Sequence, residues 1–444
     1  MKNACVIPRI LRPSVAGALL AVLAMPAGAV DLKTADGSWT FSIDGNVNVD
    51  YIYSSCQSPN NAIGIAGGQG LTCVGSQSSN NVSNIGNGLL PAAFSFGVAT
   101  TQDGIDLAAH LGLYPGIATN DGGSPNLQAG TGNGSSNVAL GSTGLDIRQV
   151  YMTFGNKDMG TFTLGRNIGL FGADVILNDM TLPGVGAPGS AAGPAPSNTT
   201  LGGIGFGYIY TDWLAQIDYT TPDFSGFSLT VGIFDPLNSL SDAAAVEPKK
   251  APGFHAKIVY TVPFNEGSKL YLSASILTQQ QDYGTGLVTP TTYSYTGTGF
   301  DIFAKLDIQD WELIGYGYHA TGLGSTALFD GGAFIDGGFA STRTSSGYLA
   351  QTTYKFGPVK VGFNYGRSNL DYANAFDQVA NPNLLSSNTK YTLGVYYSLT
   401  KNLTLLAEGS RTKSTAQSDL PTANGGLSDS NSGTTVNVGA YLGF

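Results

Sequence analysis

An all-β fold, a transmembrane antiparallel up-and-down β-barrel of 16 strands, is the architecture this sequence predicts, and three observations predict it. Charged residues make up only 11% of the 444-residue chain, against roughly 25% in a typical soluble domain. Aromatic residues are plentiful, with 22 Tyr and 21 Phe. Yet no stretch after the first thirty residues supplies the ~20 uninterrupted apolar residues that a membrane helix needs. Finally, apolar and polar residues alternate in run after run with turn residues between them. That is the distributed signature of a barrel whose backbone polar groups are satisfied between strands.

Residues 1–29 read as a signal peptide. Lys2, Arg9 and Arg12 form a positive start, SVAGALLAVLAM an apolar core, and Ala27-Gly28-Ala29 a small-residue cleavage site. Residues 30–444 then form one domain, with no linker or shift of composition inside it. Without the leader the chain holds 17 Lys+Arg and 30 Asp+Glu, a formal charge of −13, which argues against a nucleic-acid partner. Cys5 leaves with the leader. Cys56 and Cys73 share one polar loop of an exported chain, where oxidising surroundings favour a disulfide; two unpaired loop thiols are the alternative. No histidine stands near them, so neither a metal site nor any cofactor is expected.

The first mature strand carries the clearest pattern. Trp39, Phe41, Ile43, Gly45, Val47, Val49, Tyr51 and Tyr53 occupy one parity; Thr40, Ser42, Asp44, Asn46, Asn48, Asp50 and Ile52 occupy the other. Fifteen alternating residues exceed the 5–6 usual for a soluble strand. A polar loop holding both cysteines runs from Ser54 to Gly88. Strands follow at Leu90–Thr100 and Ile105–Tyr114, then a second long loop from Gly116 to Thr143. Leu145–Asn167 reads as a hairpin around NKDM, followed by a Gly/Pro/Ala-rich segment to about Thr200 in which Asp174 and Asp179 are the only charges. Two strands flank TPDFSG. The remaining runs are Gly253–Val262, Leu270–Gln279, Phe300–Ile308, Trp311–His319, Tyr348–Phe356, Val359–Tyr365, Tyr391–Leu399, Leu403–Thr412 and Thr435–Phe444. The runs make 16 strands joined by eight long loops and seven short turns. Short turns belong on the periplasmic side and long loops outside. A barrel of that size encloses a water-filled channel.

The order RQVYMTFGNKDMGTFTLGRN, a long loop, IDYTTPDFSGFSL and the C-terminal VNVGAYLGF resembles the general trimeric porins of Gram-negative outer membranes. The likeness covers essentially the whole mature chain and is tightest between Arg148 and Leu229. It implies that the third long loop folds inward and narrows the lumen with Asp174 and Asp179, which face the wall arginines Arg148 and Arg166. It also implies that Phe444 is a C-terminal assembly residue, and that three such barrels pack side by side through early and terminal strands in outer-membrane lipid. There are two departures. Relatives carry an acidic Pro-Glu-Phe-like loop tip where this chain has Pro183-Gly184-Val185. Strict alternation also puts Arg166 with Phe162 and Leu164, so its inward assignment needs a bulge or the strand end to turn it.

Parity alone adds Asp44, Asp50, Asp106, His255, Lys257, Asp301, Lys305, Asp307, Lys360 and Glu408 as lumen-facing candidates. Taken singly, each reads first as an ordinary lumen-facing solubilising group. Trp39, Tyr53, Trp213, Tyr260, Trp311 and Tyr397 suit aromatic girdles at the two interfaces. The function expected is passive diffusion of small hydrophilic solutes and ions across the outer membrane, weakly favouring cations because the chain and its loop are acidic. The alternatives are a substrate-specific porin for a sugar, carboxylate or aromatic, and a surface-adhesion barrel. An enzyme is not expected: the three histidines fall on different strands, leaving His319 near Ser325 as a remote dyad. Gly184–Gly189 matches GxGxxG only formally, since it follows no strand and opens no helix.

Overall fold

The computed structural model describes residues 30–57, 70–73, 81–117, 145–188, 198–238, 250–265, 267–285, 291–336, 339–417 and 429–444. The expected leader at 1–29 and nearly all of the loop expected at 116–143 lie outside them. Where apolar and polar residues alternate, strands form, and 18 of them make a single sheet. β1 (Val30–Lys33) is a stub folded back on β2 (Trp39–Cys56). β2 then pairs with β3 (Asn81–Gly86) near its outer end and β4 (Ala93–Gln102) near its inner end, so these two share one position in the wall.

The wall continues antiparallel through β5 (Ile105–Pro115), β6 (Leu145–Asn156), β7 (Gly160–Ile168), β8 (Trp213–Thr220) and β9 (Phe227–Phe234). Next come β10 (Gly253–Asn265), β11 (Ser268–Thr285), β12 (Thr291–Ile308) and β13 (Trp311–Thr321). A separate small hairpin, β14 (Ala333–Asp336) and β15 (Phe339–Thr342), decorates the following loop. The wall resumes with β16 (Thr344–Phe356), β17 (Val359–Leu370), β18 (Leu385–Ser398), β19 (Leu403–Ala416) and β20 (Ser430–Gly443). β20 pairs with β2 and closes a barrel of 16 strand positions. At the seam the N–H of Phe444 donates to Gly45 O and that of Gly45 to Phe444 O, and the Phe444 ring lies 5.6 Å from that of Phe94.

The alternation resolves into two faces. On β18, Tyr391, Leu393, Val395 and Tyr397 are exposed, while Lys390, Thr392 and Tyr396 between them are buried. Most wall strands repeat the scheme, so the outer face carries an apolar surface far larger than a soluble monomer shows. Among the described residues no helix is long and apolar enough to cross a membrane. Trp39, Trp311 and Tyr397 stand at the short-turn ends of their strands and Tyr53 at a long-loop end. Tyr260 stacks on Phe227 at 4.0 Å. Trp213 differs: it packs beside Tyr114 and the interior cluster, because the inward loop rejoins the wall there.

The second strand departs from the expected Leu90–Thr100. Residues 87–92 leave the wall and turn inward, where the N–H groups of Leu89 and Leu90 donate to Gly184 O (2.6 Å) and Leu182 O (2.9 Å). Leu89 is therefore in the interior, packed against the loop.

Candidate functional site: the lumen and its inward loop

Residues 169–188 and 198–212, between β7 and β8, fold into the barrel and are fastened to its inner wall strand by strand. Gly172, at φ 73°, turns the chain into the short helix α1 (Ala173–Leu177), and its N–H donates to Asp301 on β12 (2.7 Å). Asp174 accepts from Lys257 Nζ (3.0 Å), Tyr271 Oη (3.1 Å) and Ser273 Oγ. Lys305 donates to Asn178 at 3.2 Å. Gln351 on β16 accepts from Met180 N (2.7 Å) and donates to Asn178 O (2.9 Å). Asp179 accepts from Tyr208 Oη (2.8 Å), Asn364 Nδ2 (3.1 Å) and Thr181. At the tip, Val185 and Gly186 N–H groups donate to Glu408 Oε2 (2.8 and 2.9 Å), whose other oxygen accepts from Tyr396 (2.7 Å). On the return, Gly207 N donates to Ser368 Oγ at 2.9 Å. The close approach of loop and wall needs glycine at Gly366, where a methyl group would collide with the Phe206 carbonyl oxygen.

The loop also has an apolar side. Phe171, Val175, Ile176 and Tyr208 pack with wall residues Leu277, Phe303, Ile314 and Tyr316, and with Leu323 and Phe329 from the loop after β13. Full burial of a large apolar side chain contributes roughly 1.5–3 kcal/mol. This side of the lumen is therefore filled rather than merely fringed with charge.

All ten parity candidates fall on the inward register. Asp50, His255, Asp301 and Glu408 are buried there; Asp44, Asp106, Lys257, Lys305, Asp307 and Lys360 are half-buried. His255 stacks on Phe234 at 3.9 Å and accepts from Leu170 N. Asp50 accepts from Asn437 (2.8 Å). Lys305 pairs with Glu312 at 2.6 Å, and the Lys360 ammonium stands 4.9 Å over the Tyr396 ring.

The four constriction candidates do not form one opposed set. A bulge opposite Gly112 and Leu113 turns Arg148 inward, where it pairs with Asp146 at 3.1 Å, reaches Asn198 and covers Tyr114 at 5.2 Å. Arg166 pairs across the sheet with Val150 and Ala215, both exposed, so no bulge moves it off the outward register. Asp174 and Asp179 are spent on fastening the loop. The missing acidic tip has a counterpart from the other side: Glu408 supplies the carboxylate and the tip supplies the N–H donors. Sequence reading missed Lys390, fully buried on β18, with no hydrogen-bond partner among the described residues. Its signal was available, since it alternates with Tyr391, Leu393 and Val395. Asp146, two residues before Arg148, was missed as well.

At the outer mouth, Arg343 clasps Asp377 on α2 (Ala375–Ala380), with both N···O distances 2.7 Å. Burial would raise the Asp377 pKa, but the Arg343 guanidinium and the Ala373 N–H outweigh it and hold the carboxyl below its ordinary value. Cys56 and Cys73 are disulfide-bonded, with Cα atoms 5.7 Å apart. The bond ties residues 71–73 against the inner wall, where Thr72 N donates to Ser414 Oγ at 3.0 Å. His319 lies on the outer face beside Phe300 while Ser325 is fully buried, so the remote dyad is not assembled.

The same architecture recurs in solved structures. The outer membrane channel DcaP of Acinetobacter baumannii superposes with a TM-score of 0.62 at 15% identity, over 93% of this chain and 99% of that one. An anion-selective porin from Comamonas acidovorans gives 0.56 at 15% identity over 91% and 100%. Salmonella typhi OmpF, solved with daunomycin, gives 0.54 at 12% over 94% and 100%. At these identities the likeness is one of fold. No curated protein matches the chain by sequence. A family model described as Gram-negative porin matches residues 16–417, and with the closed barrel and its inward loop on the page, the chain belongs to the Gram-negative porin family.

Proposed function

We propose that this outer-membrane channel passes small hydrophilic solutes and ions by diffusion, with a weak preference for cations. One observation carries the reading. After the ion pairs Lys257–Asp174, Lys305–Glu312 and Lys269–Asp307 are struck, the half-buried charges left among the ten inward candidates are Asp44 and Asp106 against Lys360, whose ammonium stands over an aromatic ring. Fixed charges beside a narrow, low-dielectric passage act strongly on passing ions, and the small acidic surplus gives a small preference. The net charge of −13 on the mature chain adds to it at the mouths.

Zero-current potentials across a planar bilayer in a salt gradient test the proposal. The natural channel should favour cations weakly, and more so as salt falls and the Debye length grows. Asp44→Asn with Asp106→Asn should abolish the preference, and an unchanged potential would sink the assignment. Conductance that rises without saturation and is not blocked by any one sugar, carboxylate or aromatic separates general diffusion from a substrate-specific channel.

A further inference from the structure

We infer that residues 322–332, in the connection between β13 and β16, are a size-determining element of the channel, separate from the inward loop, which limits the largest solute admitted without setting the preferred charge; the inference rests on the diffusion reading. The segment turns into the barrel. Gly322 N donates to Arg343 O (2.9 Å), and Arg343 donates through its backbone N–H to Gly332 O (2.8 Å) and through Nη1 to Gly331 O (3.1 Å). One residue, just before β16, thus holds both ends of the segment. Between those ends Leu323, Leu328 and Phe329 are at most 2% exposed, and they pack in the cluster that holds Phe171, Tyr208 and Leu277. Phe329 keeps φ at 68°, a left-handed conformation unfavourable for a bulky residue and here offset by burial.

The wall is shaped to receive these side chains. β12 has glycine at two successive inward positions. A methyl group would lie 2.7 Å from the Phe329 ring at Gly297 and 2.6 Å from Leu323 at Gly299. On the other side stands the returning limb of the inward loop, where Tyr210 N donates to Thr326 O (2.8 Å) and Gly205 approaches Thr326 just as closely. Residues 323–329 therefore fill the space between the β12–β13 wall and that limb. A sector packed with apolar groups admits neither water nor ions. The lumen charges left unpaired, Asp44, Asp106 and Lys360, stand on β2, β5 and β17, outside the cluster. A solute meets this segment as lost volume and meets the field elsewhere.

The test deletes residues 323–331 and joins Gly322 to Gly332, which already touch: a methyl group on Gly332 would lie 2.3 Å from Gly322 O. In proteoliposome swelling with a graded series of oligosaccharides, the largest permeant sugar should grow by at least one unit. Single-channel conductance should rise roughly twofold with the wider pore, while the zero-current potential keeps its sign. Leu323→Ala with Phe329→Ala preserves chain length and should move size limit and conductance the same way by less, which settles the matter if the deletion fails to fold. An unchanged size limit, a lower conductance or a reversed potential overturns the inference. Ala320→Cys supplies a readout that does not depend on conduction. Ala320 is 1% exposed on the inward side of β13 and meets Leu323 at Gly299, and Cys56 and Cys73 are bonded to each other. A water-soluble maleimide should label that position at least tenfold faster once 323–331 are removed, and equal labelling overturns the inference. A natural channel that does not conduct refutes the diffusion reading, and the labelling then decides the segment by itself.

Discussion

At the scale of single residues, Glu408 is the side chain on which the inward loop depends most. It is fully inside the wall, yet its two oxygens satisfy two loop N–H groups and the Tyr396 hydroxyl. Hydrogen bonds to a charged group contribute about 1.5–3 kcal/mol each, and deleting the acceptor leaves buried donors unmet. Glu408→Ala should therefore loosen residues 182–187 while the barrel persists. Hydrogen exchange of the tip amides should rise by one to two orders of magnitude, and single-channel current should become noisier. Unchanged protection at Val185 and Gly186 would show that apolar packing alone holds the tip. Glu408→Gln, which keeps an acceptor oxygen, should be milder.

At the scale of elements, two fasteners hold extracellular segments, and they respond to different conditions. The Arg343–Asp377 clasp joins the loop after β13 to α2. Asp377 has a depressed pKa, so its contribution is fully present above the ordinary carboxylate value near ~3.9. It is lost only as pH falls through the depressed value. The clasp should survive mildly acidic media and open in strong acid, read as onset of pepsin cleavage near α2. Arg343→Ala, which strands a buried carboxylate, should weaken this cap by about 3–5 kcal/mol and move the onset of cleavage to neutral pH with another protease. The Cys56–Cys73 bond spans 17 residues, worth about 3 kcal/mol in the chain-entropy picture. Cys56→Ser with Cys73→Ser should expose residues 71–73 to proteolysis and leave the heat-labile migration of the barrel on gels intact. Two alkylatable thiols in the unreduced natural protein would refute the bond.

At the scale of the whole molecule, the outward face must be covered by lipid or by other copies of the chain. Neutral outward residues on β2–β6, such as Phe94, Phe96, Leu111, Val150 and Met152, suit the side-by-side packing that the family likeness suggests. A homotrimer is the expected assembly, seen as a high-mass band in mild detergent that collapses on heating. A monomer under every gentle condition would refute it. Arg166 bears on the same point, since it faces outward beside Val150 and Ala215. An arginine facing lipid at mid-membrane costs roughly 2–4 kcal/mol, whereas a neighbouring subunit relieves that cost. Arg166→Leu should therefore shift the heat-labile band and leave ion selectivity unchanged.

What the sequence determined by itself was the wall. A period of two specifies which residues face lipid and which face the lumen, because each strand's partners are local and the two solvents differ so sharply. That is why most strand positions and the alternation of short turns and long loops could be read from residue order, though not the inward turn of residues 87–92. Alternation also put Arg166 outward, and the tertiary structure agrees with the alternation over the family likeness. Only the tertiary structure decided what lies inside. Asp174 looks like a free loop acid until β10 and β11 bring Lys257, Tyr271 and Ser273 to it. The meeting of Glu408 with Val185 and Gly186 joins residues more than two hundred positions apart. The bulge that turns Arg148 inward depends on register with β5. No local period encodes such contacts, because a loop crossing the lumen takes its partners from whichever strands the closed barrel sets opposite it.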